Sequence, residues 1–187
     1  MLNTKFLHLL ILILSQLYLT GTDYQNTSKI SRSDFRNISF DNRISIGDLI
    51  EEQDYESKLI SLFGQHANKE CFSNPMTEYG CIIDYNGFQL IFDYTNVLTK
   101  LTLNNSNKSL VYKGKRLIPG MTLFELKSIF RESYDNRSSV STKGGTVTKN
   151  IIKVEVESFG DGESILFYYN TSSNSITEIS IIIPPEV

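Results

Sequence analysis

The sequence predicts an α+β fold of two tandem units, each a hairpin, a helix and an antiparallel β-meander, with the helix packed on one face of the sheet. Three observations lead to this prediction. Short apolar stretches alternate with polar residues between Gly- and Asn-containing turns, as strands do. Two segments carry apolar residues at helical spacing. The order of these elements also occurs twice along the 187 residues.

Residues 1–22 differ from the rest of the chain. Lys5 adds positive charge near the amino terminus, an apolar run extends from Phe6 to Leu19, and small residues follow it. A helix of this length would span about 21 Å, short of the roughly 30 Å hydrocarbon core of a bilayer. The pattern predicts a secretory signal peptide, with a short membrane anchor as the alternative. We therefore expect an exported protein, periplasmic or extracellular, with no membrane span in the mature chain.

The mature chain divides into three predicted parts. Residues 23–35 are polar and predict a flexible lead-in. Residues 36–106 form the first predicted α+β unit, and residues 107–187 form the second. Each unit opens with two short apolar stretches around a polar turn, Ile38–Gly47 in the first and Leu110–Gly120 in the second, which is typical of a tight hairpin.

The helix of each unit follows its hairpin, in Tyr55–Gly64 and Thr122–Glu132. Thr122 and Glu125 have the spacing of a capping box, which predicts the start of the second helix. One face of that helix is predicted to consist of Leu123, Leu126, Ile129 and Phe130.

Three strands complete each unit, and the first of them lies in Tyr79–Asn86 and in Ile151–Gly162. Gly87–Tyr94 aligns with Gly162–Tyr169, and Val97–Leu103 aligns with Ser175–Ile181. Because side chains alternate along a strand, one set points to the core and the other points away from the helix. The core set is Leu90, Phe92 and Tyr94 with Ile165, Phe167 and Tyr169, together with Val154 and Val156. The outward set, which we predict as a binding surface, is Gln89, Ile91, Asp93 and Lys100 with Leu166 and Tyr168.

Two cysteines remain in the mature chain, Cys71 and Cys81, and they flank a short Pro- and Gly-containing loop. In an oxidising compartment such a pair is most simply a disulfide. A two-cysteine metal site is the alternative, but only His66 lies nearby as a further ligand.

The two units and the short disulfide after the first helix resemble the β-lactamase-inhibitor-protein-like fold. A single unit, including the stretch RLIPGMTLFELKSIFRESY, resembles the small outer-membrane assembly lipoproteins and exported proteins of Bacteroidetes-type bacteria. The resemblance covers most of residues 36–183 and implies a tandem α+β protein of the cell envelope. The chain lacks the second cysteine pair of the inhibitor and the lipid-attachment cysteine of the lipoproteins. No inhibitory or partner-contacting residue is therefore carried over.

The sequence excludes several function classes. The net charge is −3 and there is no basic run, which argues against nucleic acid. A single histidine outside the first 22 residues argues against multi-histidine zinc sites and His-based triads. Paired carboxylates could support acid–base chemistry, but most lie in turns or on exposed strand faces. The pairs considered are Glu51 with Glu52, Asp84 with Asp93, Glu155 with Glu157, and Asp161 with Glu163.

We therefore expect a non-enzymatic exported module that binds another protein through the outward sheet face, without catalytic residues, cofactor or metal. Two alternatives stay open. One is a carboxylate-dependent hydrolase with a cleft between the units. The other is a calcium or ligand sensor that uses the acidic turns at Asp84 and Asp161.

Overall fold

The computed structural model describes residues 27–52, 54–72, 80–141, 148–157 and 162–184, with the side chains of residues 140, 141 and 148 left out. Within these residues the chain is a mixed α+β protein with two sheets, as predicted. The predicted signal peptide, residues 1–22, lies outside the described residues.

Five helices and thirteen strands lie in the described residues. The helices are α1 (Arg32–Arg36), α2 (Ile46–Glu51), α3 (Tyr55–Phe63), α4 (Leu123–Ile129) and α5 (Arg131–Asp135). The strands before α4 are β1 (Lys29–Ser31), β2 (Ser39–Phe40), β3 (Ile44–Ser45), β4 (Asn68–Cys71), β5 (Cys81–Tyr85), β6 (Phe88–Phe92), β7 (Leu98–Leu103), β8 (Leu110–Tyr112) and β9 (Lys115–Leu117). Those after α5 are β10 (Ser138–Ser141), β11 (Thr148–Glu157), β12 (Ser164–Asn170) and β13 (Ser175–Ile182).

The prediction of a flexible lead-in is wrong for residues 29–35. These residues form β1, which pairs in parallel with β11, and most of α1. Ile30 and Phe35 are buried in the core, and Ser31 caps α1 by accepting a hydrogen bond from the Asp34 backbone N–H. Two well-placed apolar side chains thus anchor a segment whose composition is otherwise polar, because burial of each stabilises the folded chain.

The large sheet joins the two predicted meanders edge to edge. Its order is β1-β11-β12-β13-β7-β6-β5-β4, and β10 also pairs with β11. The meander β5–β6–β7 therefore meets the meander β11–β12–β13 through the antiparallel pair β7 and β13. The small sheet has the order β3-β2-β8-β9, so the two hairpins also meet, through β2 and β8.

The strand pairing has a two-fold pattern. In the register of β7 and β13, Thr102 lies opposite Ser180, and the predicted alignment of the two units equates these same two residues. The hairpin turns also match, because both turn positions have positive φ, at Asp41 and Asn42 in the first and at Lys113 and Gly114 in the second. The tandem-unit organisation remains a prediction, which this pairing favours.

The helices cover one face of the large sheet. Tyr55 of α3 stacks on Phe92, with ring centroids 3.8 Å apart, and Phe130 after α4 lies 5.7 Å from Phe167. The capping box of Thr122 and Glu125 is present as predicted, and of the helix face it introduces, Leu123, Leu126 and Phe130 are buried and Ile129 is partly buried. Among the predicted core residues of the strands, Leu90, Phe92, Ile165, Phe167, Val154 and Val156 are buried, and Tyr169 is partly buried against the core.

The core prediction is wrong for Tyr94, which is 64% exposed. Strand β6 ends at Phe92, and the register between β6 and β7 shifts at Ile91 and Phe92. Tyr94 therefore belongs to the following turn, where alternation along the strand no longer decides which way a side chain points.

Candidate functional site

The face of the large sheet opposite the helices is the candidate functional site. We call it the open face, and it is formed by the alternate side chains of β4–β7 and β11–β13 that point away from the core. Ile82, Leu166 and Ile182 lie on the open face. They are partly exposed and are not part of the central core cluster. Sheets with one uncovered face usually present polar residues there, so partly exposed apolar side chains indicate a surface for contact.

Four adjacent residues in one row across the open face are three isoleucines and one lysine. In the strand register Ile82 lies opposite Ile91, Ile91 opposite Lys100, and Lys100 opposite Ile182. Ile91 is only 8% exposed, while its three neighbours are partly buried. The Lys100 ammonium group has no hydrogen bond or ion pair with any described residue. An ammonium group without a counter-ion between isoleucines is well placed to accept a carboxylate from a partner.

The neighbouring row is polar and internally hydrogen-bonded. The hydroxyl groups of Thr102 and Ser180 lie 3.1 Å apart and are buried at the centre of the face. Gln89 donates from Nε2 to Asp84 Oδ1 at 2.7 Å. The hydrogen bonds of these side chains are made within the row, so the row offers a partner few unpaired polar groups.

Tyr168 lies near the end of the open face, beside a groove. Lys149 Nζ is 4.7 Å from the centroid of its ring, and the same Nζ is 3.9 Å from Glu178 Oε2. Partial burial raises the pKa of the Tyr168 hydroxyl, and the negative charge of Glu178 raises it further. Sequence reasoning did not identify Lys149 or Glu178 as neighbours of Tyr168, because the three residues lie on three different strands.

Four of the six predicted surface residues lie on the open face and are partly exposed: Gln89, Lys100, Leu166 and Tyr168. The prediction of exposure is wrong for Ile91 and Asp93, which are 8% and 7% exposed. Ile91 is enclosed by its cross-strand neighbours. Asp93 caps the turn after β6, where Oδ1 accepts hydrogen bonds from the Thr95 N–H, the Thr95 hydroxyl and the Val97 N–H at 2.7 to 2.9 Å.

Cys71 and Cys81 form the predicted disulfide, which joins the edge strand β4 to β5. Lys69 on the same edge strand forms an ion pair with Glu56 of α3 at 2.6 Å. Within the described residues no group of three or more His, Cys, Asp or Glu side chains could hold a metal ion. The disulfide therefore fastens an edge strand, and its two sulfurs are not available as metal ligands.

Several of the carboxylates considered for acid–base chemistry are engaged elsewhere, and Asp161 is outside the described residues. Asp84 is bound by Gln89, and Asp93 holds its own turn. Burial alone would raise the pKa of Glu155, but hydrogen bonds from Lys153 and Thr27 outweigh it and hold the pKa below its usual value. A general acid needs the opposite shift, so Glu155 has the environment of an ion-paired surface residue.

No protein-family model, curated protein or solved structure matches this chain. The resemblance to the β-lactamase-inhibitor-protein-like fold therefore stays a prediction. Among the described helices, none is both long enough and apolar enough to cross a bilayer.

Proposed function

We propose that this protein is an exported, non-enzymatic binding module that holds another protein against its open face. The observation that carries the proposal is Lys100, a cation without a partner among the described residues, set in a row of isoleucines. A disulfide on the edge strand fits a protein that works outside the reducing cytoplasm.

The chemistry of the open face defines the partner. Ile182 lies on one side of Lys100, and Ile91 with Ile82 beyond it lies on the other, so apolar area flanks the ammonium. The matching surface is a protein segment with one Asp or Glu flanked by apolar side chains. Such a contact removes the ion pair from water and surrounds it with apolar atoms, which is the arrangement of interface residues that dominate affinity.

The experiment starts by finding the partner and then tests the face. The mature chain and its Lys100→Glu variant are immobilised side by side, and proteins retained by the first but not the second are identified from the envelope fraction of the native host. Each purified candidate is then titrated against both forms. We expect Lys100→Glu to weaken binding at least about thirtyfold, the effect of replacing an attractive buried pair by a repulsive one.

Lys58→Glu is the matched control, since Lys58 is an exposed lysine on α3, on the helix-covered side of the molecule. It changes net charge by the same amount and should leave binding unaltered. Equal weakening by the two variants would mean that binding follows net charge and not the open face. A thermal unfolding curve for each variant shows that a loss of binding is not a loss of fold.

A further inference from the structure

The groove beside Tyr168 lies where the β12–β13 hairpin is irregular. The register between the two strands shifts between Tyr168 and Tyr169, and the hydroxyl of Thr177 donates to the Tyr168 carbonyl at 3.2 Å. Bulges of this kind bend a strand and redirect its side chains. The groove has a volume of about 400 Å³, within the roughly 300 to 1,000 Å³ usual for small-molecule sites.

Two asparagines at the groove are held by their side-chain oxygens. Asn170 Oδ1 accepts hydrogen bonds from the backbone N–H groups of Ser172 and Ser173, at 2.7 and 3.2 Å. Asn150 Oδ1 accepts from the Ser139 hydroxyl at 2.9 Å. In the described part of the chain both amide nitrogens are left without a protein acceptor. The groove therefore has fixed hydrogen-bond donors that need no rearrangement to meet a ligand.

The charges at the groove balance. Lys149 and Glu178 are the charged residues that line it, and their charged atoms lie 3.9 Å apart. Tyr168 adds an aromatic ring, with Lys149 Nζ over one of its faces, and a hydroxyl that can donate or accept a hydrogen bond. A charged ligand would be attracted by one member of the pair and repelled by the other, so it would gain little net electrostatic stabilisation, and this balance favours a neutral ligand.

A neutral ligand that needs many hydrogen bonds and also has an apolar face to lie against an aromatic ring is a carbohydrate. Sugar rings carry hydroxyl groups around the rim and C–H groups on their faces. Tyr supplies a rigid surface for the C–H groups, and the amides and a carboxylate can hydrogen-bond with the hydroxyl groups. We propose that this groove binds a neutral oligosaccharide. The inference does not depend on the proposed protein-binding function, which uses Lys100 and its row.

The described residues of the first half carry no counterpart of this groove. In the predicted alignment of the two units Tyr168 corresponds to Asp93, which is buried and bound to its own turn. Tyr94 corresponds to Tyr169, but it is 64% exposed and lies outside the groove. The first half thus supplies an exposed tyrosine that serves as an internal control.

The test is a titration of the mature protein with neutral hexaoses of glucose, xylose, mannose and N-acetylglucosamine, and with an oligogalacturonate as the acidic comparison. Calorimetry measures affinity, and tyrosine emission, which no tryptophan masks in this chain, is a second readout whose dependence on the site is checked with the Tyr168 variants. We expect millimolar or tighter binding of at least one neutral hexaose. Tyr168→Ala should weaken it at least about tenfold, and Tyr94→Ala should leave it unchanged.

Tyr168→Leu repeats the test with a bulky apolar side chain that a partly buried strand position tolerates, so loss of binding in a folded protein remains measurable if the alanine variant unfolds. Lys100→Glu should bind the hexaose as well as the wild type does, which separates this site from the proposed protein contact. No binding of any neutral hexaose at millimolar concentration would overturn the proposal. So would tighter binding of oligogalacturonate, or equal weakening by Tyr94→Ala.

Discussion

Thr102 and Ser180 bury two hydroxyl groups at the junction of β7 and β13, where Ser180 is fully buried and Thr102 nearly so. Each satisfies the other at 3.1 Å, and Ser180 also reaches Glu178 at 3.4 Å. Removing one hydroxyl leaves the other buried with fewer hydrogen-bond partners. Replacing both with apolar groups of similar shape leaves no buried hydroxyl that lacks a partner.

We predict that Thr102→Val lowers the free energy of unfolding by about 1 to 3 kcal/mol, because the Ser180 hydroxyl loses its main partner. Ser180→Ala should cost a similar amount. The double variant should recover most of the loss and come close to the wild type. Urea unfolding of the four proteins measures the coupling, and purely additive costs would show that the two hydroxyls do not depend on each other.

Glu125 gives a prediction on pH. Its carboxylate accepts hydrogen bonds from the Thr122 backbone N–H at 2.7 Å and from the Thr122 hydroxyl at 2.8 Å, and these bonds lower its pKa in the folded protein. Because the pKa of Glu125 is lower in the folded protein than in the unfolded one, its stabilising effect is complete at pH values above the unfolded pKa, about 4.3 for Glu. The effect is lost as the pH falls through the pKa of the folded protein. We expect Glu125→Gln to be less stable than the wild type at neutral pH and equal to it in acid. Thermal unfolding across this pH range measures the difference, and a gap that persists at low pH would contradict the role of the charge.

The elements that could be predicted are those whose signals are local. The capping box places the start of α4 within residues that are neighbours in sequence, and the turn at Lys113 and Gly114 places the second hairpin in the same way. The pairing of β7 with β13 and of β2 with β8 is not local, and no pattern within either strand specifies it. Strand β1 was missed because its signal is a single buried residue, Ile30, in a polar stretch.

Only part of the candidate site could be predicted, because alternation along a strand is a local signal and the register between strands is not. Alternation correctly places Leu166 and Tyr168 away from the core, since β12 is regular up to that point. It fails at Asp93, where β6 has already ended and the side chain turns to its own loop. The neighbours of Tyr168 across the sheet depend on register, which the sequence of one strand does not contain.

At the edge of the sheet, β4 depends on its covalent link. Its side chains are mostly exposed, so little apolar burial holds it, and its attachments are its ladder with β5, the ion pair of Lys69 with Glu56, and the disulfide. We predict that Cys71→Ser with Cys81→Ser lowers the free energy of unfolding by about 3 kcal/mol, the loop-entropy value for a link of this length.

The same change should act first on β4. Hydrogen exchange of the β4 amides should approach that of an unprotected chain, while the amides of β6 and β12 stay protected. Lys69→Met in the intact disulfide protein is the matched comparison and should have a smaller effect, because a partly exposed ion pair contributes about 1 kcal/mol or less. Uniform loss of protection across the sheet would show that the disulfide supports the whole fold and not only the edge.

The molecule as a whole has one core that crosses the predicted boundary between the units. Leu90 and Phe92 from the first half belong to the same buried cluster as Phe130 and Phe167 from the second. Both sheets also continue across that boundary, through the pairing of β7 with β13 and of β2 with β8. Because β1 also pairs with β11, each half alone would lose strand pairing in three places and the apolar contacts along them.

We therefore predict that residues 27–106 and residues 107–187, produced separately, are each largely unfolded, and that mixing them restores the native sheets. Circular dichroism and amide NMR spectra of each half, and of the equimolar mixture, measure this directly. Thr102→Lys in the first half should block reassembly, because it places a charge where the two halves bury paired hydroxyls. Lys58→Glu in the same half is the control and should reassemble normally. A half that folds alone with native-like dispersion would mean that the two units are independent domains and that their shared core is only an interface.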